Sequence, residues 1–133
     1  MRNGRKGAQI KLTNFNLNDY HTLIFDFDGI FTDNKVYLSQ SGEEIIRCDK
    51  ADSLGFNLFN AFIRKYSLKI NYFVLSKEKN EVIKLRLNKL RIKCFQGIDN
   101  KLDFIKNYLM KEYFEVDISK RGIIYIGNDL NDL

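Results

Sequence analysis

Short apolar runs alternate with longer amphipathic stretches from residue 21 onward, and their order predicts strands alternating with helices. His21–Phe27 (HTLIFDF) is an apolar run broken by Asp26 and followed at once by Asp28 and Gly29, the pattern of a buried parallel strand. Lys35–Ser39 and Glu43–Cys48 are strand-like runs around Gln40-Ser41-Gly42, which predicts a hairpin. Asp52 or Ser53 is placed to cap a helix continuing to about Tyr66, whose Leu54, Leu58, Phe59, Phe62, Ile63 and Tyr66 recur at helical spacing. Phe56, Phe59 and Phe62 are expected in the core. Lys69–Leu75 predicts a second buried strand ending at Ser76, and Asn80–Leu90 an amphipathic helix with Val82, Ile83, Leu87 and Leu90 on one side. Ile92–Phe95 predicts a third strand, closed by Gly97. A helix from about Asn100 follows, with Leu102, Ile105 and Leu109 inward. Gly122–Ile126 predicts a fourth strand, ending at Gly127-Asn128-Asp129.

This alternation predicts an α/β fold: an open, mostly parallel sheet with helices on both faces and a hairpin inserted after the first strand. One domain is expected over residues 20–133. Residues 1–19 read as a basic tail carrying Arg2, Arg5, Lys6 and Lys11. The chain stops at Leu133 where another helix should begin, so the domain is expected to be cut short there.

With 133 residues, 44% hydrophobic and 29% charged, the chain has a globular composition rather than a disordered one. Cys48 and Cys94 lie too far apart for a CxxC motif and are expected to act as small hydrophobes. No apolar run approaches the roughly 20 residues that span a bilayer, so a soluble, cytoplasmic protein without a membrane partner is expected. The net charge of +5 suits an anionic partner, but the lysines are spread along the chain, which argues against nucleic acid and leaves a phosphorylated small molecule.

In open α/β sheets, ligands bind beyond the carboxyl ends of the strands. Asp26 and Asp28 follow the first strand, with Thr32 and Asp33 close behind; Ser76 follows the second; Asn100-Lys101 opens the helix after the third; Asn128, Asp129 and Asp132 follow the fourth. Such an inventory would hold a hard cation and a phosphate. Carboxylates plus water and a phosphate oxygen suit Mg²⁺. Asp26 could attack phosphorus, Asp28 could exchange the proton, and Ser76 and Lys101 could hold the non-bridging oxygens. Asp129 would be the third metal anchor, with Asn128 as an alternative. Asp33 and Asp52 read equally well as ordinary loop carboxylates or as rim groups, Asp132 as a brace for its loop, and His21 as structural.

Asp26-Phe27-Asp28-Gly29-Ile30-Phe31-Thr32-Asp33 is similar to the first motif of haloacid dehalogenase-like phosphatases. Ser76, Lys101 and Gly127-Asn128-Asp129-Leu130-Asn131-Asp132 fall where that superfamily keeps its second, third and fourth motifs. The chain most resembles the capless branch containing 3-deoxy-manno-octulosonate 8-phosphate phosphatase and the phosphatase-like domain of acylneuraminate cytidylyltransferases. Lys50-Ala51-Asp52-Ser53-Leu54-Gly55 and Gln96-Gly97-Ile98-Asp99-Asn100-Lys101 resemble loops of that branch. The resemblance implies a Rossmann-like fold and an Mg²⁺-dependent phosphomonoesterase acting on a small phosphorylated sugar acid through an aspartyl-phosphate. It implies Thr32, Asp33 and Asp52 at the substrate rim, and a homotetramer through the 35–48 hairpin that lets one subunit roof its neighbour's site. Two features depart from the branch: Asn128 stands where an acidic residue is usual, and Lys77-Glu78 replaces Gly-Arg after Ser76. Both stand closer to the cytidylyltransferase-attached version, so a catalytically weak assembly module associated with a cytidylyltransferase is the alternative.

Overall fold

The computed structural model describes residues 16–112 and 122–128. The expectations placed on residues 1–15 and on Asp129 and Asp132 lie outside the described residues. Asn16 caps a single 3-10 turn, Leu17–Asp19, by accepting the Asn18 N–H at 3.0 Å. The elements that follow are β1 (Tyr20–Phe25), β2 (Thr32–Leu38), β3 (Glu44–Cys48), α1 (Ala51–Lys65), β4 (Asn71–Leu75), α2 (Glu81–Leu90), β5 (Lys93–Phe95), α3 (Lys101–Glu112) and β6 (Gly122–Ile126). Strands β5-β4-β1-β6 form one parallel sheet in that order, and β2 and β3 pair antiparallel as a separate hairpin.

Side chains alternate across a strand, so each face of this sheet builds its own core. On one face Phe27, Phe31, Val74, Ile83, Leu87, Leu90 and Ile92 pack together, with Phe56 of α1 against them. On the other, Ile24, Phe73 and Leu75 meet Phe104, Ile105 and Tyr108 of α3 and Tyr125 of β6. Helices therefore cover both faces, as the alternating pattern predicts.

The helices differ in detail from the sequence reading. α1 starts at Ala51, and the carboxylate that accepts its first N–H, at 2.8 Å, belongs to Asp49, while Asp52 and Ser53 both sit inside the first turn. Leu54 and Leu58 are 63% and 62% exposed, and Phe62 is 42% exposed. Periodicity marks an apolar side without saying which side meets the sheet; here Phe56, Phe59 and Ile63 turn inward, and Phe59 packs on Tyr72. Val82 and Leu102 likewise face outward while Ile83 and Phe104 pack inward. β1 ends at Phe25, two residues before the end of the apolar run, and β2 begins at Thr32 rather than Lys35. His21 is buried beside Thr22, with Nδ1 at 2.7 Å from its hydroxyl. No helix among the described residues is long and apolar enough to cross a membrane.

From β1 the chain steps outward through β4 to β5, then returns to lay β6 on the other side of β1. The strand order therefore reverses between β1 and β6, and a crevice opens beyond their carboxyl ends.

Candidate active site

Asp26 stands at this reversal. Its N–H donates to the Ile126 carbonyl at 2.8 Å, carrying the β1–β6 pairing one residue past the strand. Phe27 is fully buried and stacks on Phe31, with ring centroids 5.6 Å apart. The chain bends at Phe27 and turns from Asp28, with the Phe31 N–H donating to the Phe27 carbonyl at 2.9 Å, and with Phe27 anchored in the core Asp26 and Asp28 both line the cleft. The Asp26 carboxylate accepts the Phe27 N–H at 2.8 Å and lies 3.1 Å from Lys101 Nζ. Both side chains of that ion pair are nearly buried, at 11% and 12% exposure, so the charges are poorly screened.

Asp28 is half-buried, and its pKa is raised: burial is the main cause, the Glu78 and Asp26 charges add to it, and Lys101 opposes. The turn after it depends on Gly29, at φ +77°, whose N–H donates to Thr32 Oγ1 at 3.1 Å. Asn128 lies directly against this glycine; a Cβ there would overlap the Asn128 amide.

Ser76 follows β4 and is buried. Its N–H donates to Phe95 O at 2.9 Å and its carbonyl accepts from Ile98 N–H at 3.2 Å, while its hydroxyl has no hydrogen-bond partner. Lys101 opens α3, where Asn100 Oδ1 caps the helix by accepting the Asp103 N–H at 3.0 Å. Lys101 Nζ also donates to the Tyr125 hydroxyl at 2.9 Å.

Asp26, Asp28, Ser76, Lys101 and Asn128 thus line one cleft of about 550 Å³. Glu78 and the hairpin residues Asn34, Lys35, Val36, Glu44 and Ile46 complete its walls, so the hairpin borders the cleft of its own chain. Thr32, Asp33 and Asp52 line a second cleft. The reason is local. Thr32 Oγ1 is held by the N–H groups of Gly29 and Asn34, Asp33 pairs with Arg47 at 2.7 Å, and Asp52 lies 4.0 Å from Arg86. Sequence reasoning missed Tyr125, whose signal was a hydroxyl in the otherwise apolar strand GIIYI, and the cleft position of Lys35 and Glu44, which adjacency along the chain does not reveal.

Among the described residues no three His, Cys, Asp or Glu side chains converge as a metal cage. Asp26 and Asp28 with the Asn128 amide still fit Mg²⁺, which takes one or two carboxylates and fills its remaining positions with water and phosphate oxygens. The unpartnered Ser76 hydroxyl is a donor suited to such a phosphate.

The raised Asp28 pKa carries a stability prediction for the metal-free protein. Below the ordinary carboxylate range Asp28 is protonated folded and unfolded alike, and no penalty arises. As pH rises through its higher folded value, ionisation costs the native state more than the unfolded chain. In EDTA, Asp28→Asn should therefore melt above the wild type at pH 7, and the gap should close as pH falls toward 4, near the unperturbed value of 3.8. Thermal melts across that range check it; a gap that widens in acid would contradict it.

No family model matches the chain. The curated 3-deoxy-D-manno-octulosonate 8-phosphate phosphatase of Salmonella typhi is 27% identical over 111 residues, covering 83% of this chain and 54% of that protein. The chain therefore spans about half the length of the curated relatives it matches. Among solved structures, a HAD family hydrolase from Streptomyces avermitilis is 32% identical with a TM-score of 0.67, covering 87% of this chain and 65% of that one. A 3-deoxy-D-manno-octulosonate 8-phosphate phosphatase from Moraxella catarrhalis, in complex with magnesium, phosphate and the sugar acid, shares the fold at 24% identity and TM-score 0.69, covering 88% and 62%. By sequence this chain is similar to a 3-deoxy-D-manno-octulosonate 8-phosphate phosphatase and to a HAD family hydrolase, and it shares its fold with the Moraxella phosphatase.

Proposed function

We propose that this cleft hydrolyses the phosphomonoester of a small sugar acid, of the 3-deoxy-octulosonate or nonulosonate type, with Mg²⁺ as cofactor. The observation that carries the reading is the Asp26–Lys101 contact at 3.1 Å, which puts a carboxylate nucleophile and a phosphate-binding cation at one point of the sheet edge. Asp26 attacks phosphorus and displaces the sugar oxygen, which takes its proton from Asp28. Water then attacks the aspartyl-phosphate, gives its proton to Asp28, and inorganic phosphate leaves with Asp26 restored. In the metal-free site burial and the neighbouring carboxylates raise the Asp28 pKa, which moves it toward the range of a general acid. Ser76 and Lys101 hold the non-bridging oxygens, the serine through its unpartnered hydroxyl. Asp26 and Asp28, with Asp129 or Asn128, would hold Mg²⁺, which when bound offsets the repulsion between carboxylate and phosphoryl group. The branch's sugar-acid substrate, the sugar acid and magnesium beside phosphate in the Moraxella structure, and this donor set all support the reading. Phosphate release across a panel of phosphosugars and phosphorylated sugar acids, with Mg²⁺ and with EDTA, tests it; activity confined to the Mg²⁺ arm and to the acids is expected, and no release from any member would reject it.

A second reading has its own observation. Val36, Tyr37, Leu38 and Ile45 of the hairpin are 58–68% exposed, an apolar surface suited to homotetramer assembly or to a cytidylyltransferase partner. Stable oligomers without turnover on that panel would favour such an assembly role. Sedimentation before and after shortening the Gln40–Gly42 tip reads this directly.

A further inference from the structure

We infer that Tyr125 is a positioning residue for the phosphate-binding cation: it holds Lys101 Nζ at the nucleophile from a ring fixed in the sheet's core. The inference rests on the reading above, that Lys101 receives the phosphoryl oxygens.

A lysine ammonium rides on a flexible four-carbon stem, so its place in a cleft must be imposed from outside. Lys101 starts α3, and the helix fixes its backbone but not its side-chain end. Among the described residues, contacts from two sides hold that end. Asp26 Oδ1 lies at 3.1 Å on the β1 side, and the Tyr125 hydroxyl accepts at 2.9 Å from the β6 side.

Tyr125 suits this task better than another flexible polar residue. β6 holds it in register with Ile24 of β1, two residues before Asp26, and its ring joins the cluster formed by Ile24, Phe73, Leu75 and the apolar side of α3. A tyrosine has two side-chain torsions and an apolar body, so packing the ring fixes the hydroxyl as well. The aspartate alone would bind the ammonium electrostatically without defining its direction. Because Asp26 must change charge as it becomes an acyl phosphate, a neutral second acceptor keeps Lys101 in place when the ion pair weakens. Nucleophile, cation and positioning group thus come from β1, α3 and β6, the three elements that meet where the strand order reverses.

The test compares wild type, Tyr125→Phe, Tyr125→Leu and Lys101→Ala. Inorganic phosphate is titrated in the presence of Mg²⁺ by calorimetry, melting temperature is recorded for each protein, and KM and kcat are measured on the phosphomonoester. Phenylalanine keeps the ring and its packing and removes only the acceptor. The expected result for Tyr125→Phe is a melting temperature close to the wild type, phosphate affinity down about tenfold, the scale of one hydrogen bond to a charged group, and KM raised more than kcat is lowered. Tyr125→Leu should lose the same affinity and melt lower, and Lys101→Ala should lose phosphate binding. Wild-type phosphate affinity in Tyr125→Phe, beside loss in Lys101→Ala, would overturn the inference and leave Lys101's role standing. Undiminished binding in Lys101→Ala would overturn that role and the inference with it.

Discussion

Asp26→Asn is expected to reduce Mg²⁺-dependent phosphate release by about a thousandfold or more, the scale on which removing a covalent nucleophile acts. The substitution is nearly isosteric, and its side-chain oxygen can still accept the Phe27 N–H that Asp26 accepts at 2.8 Å. The turn and its buried Phe27 should therefore survive, and circular dichroism should show an intact fold. What is lost is the charge and nucleophilicity of the carboxylate, and with them the acyl phosphate. Lys101, at 12% side-chain exposure, also loses the Asp26 charge while keeping the Tyr125 acceptor, so some stability is lost with that ion pair. Phosphate release assayed with phosphorylated sugar acids reads the effect. Equal rates for variant and wild type would remove Asp26 from the chemistry. Lys101→Ala makes the useful contrast: it should lose measurable binding of inorganic phosphate but keep a nucleophile capable of slow turnover at high substrate.

The order of strands and helices was legible because each buried parallel strand is a short apolar run that ends abruptly at a polar tip. The same rule brought Asp26, Asp28, Ser76 and Lys101 forward, since their positions follow from where a strand stops and the next segment turns. The surroundings of Thr32, Asp33 and Asp52 were harder to read: Asp33 and Asp52 meet the partners Arg47 and Arg86, and β2, which begins at Thr32, brings Asn34, Lys35 and Val36 to the cleft. Proximity along the chain was a poor guide where the backbone reverses. Which side of α1 meets the sheet was equally hidden: Leu54, Leu58 and Phe62 share the spacing of Phe56, Phe59 and Ile63, and only the direction of entry from Asp49 decides between them. Tyr125 escaped notice because an apolar strand context masks a polar tip.

The glycine between the two halves of the site yields the other large effect. Gly29→Ala is expected to destabilise the protein by about 1–2 kcal/mol, lowering the melting temperature by roughly 5 °C, and to push the Asn128 amide out of its place. Two effects combine. At φ +77° a residue with a Cβ is strained by about 1–2 kcal/mol. The added methyl would also occupy the place of the Asn128 amide, and Gly29 cannot retreat because Phe27 and Phe31, buried at 0% and 3% exposure, pin the turn on both sides. Asn128 must therefore move, and Mg²⁺ affinity should fall with it. Gly42 supplies the control: its φ of +84° imposes the same kind of strain, but nothing lies within 4 Å of a Cβ there. Gly42→Ala should cost only the strain, and the difference between the two variants measures the overlap with Asn128. Adding Asn128→Ala to Gly29→Ala should recover most of that difference while Mg²⁺ affinity stays low. If Gly29→Ala proves no worse than Gly42→Ala and binds Mg²⁺ normally, the close packing of the first and last strand ends does not hold this site together.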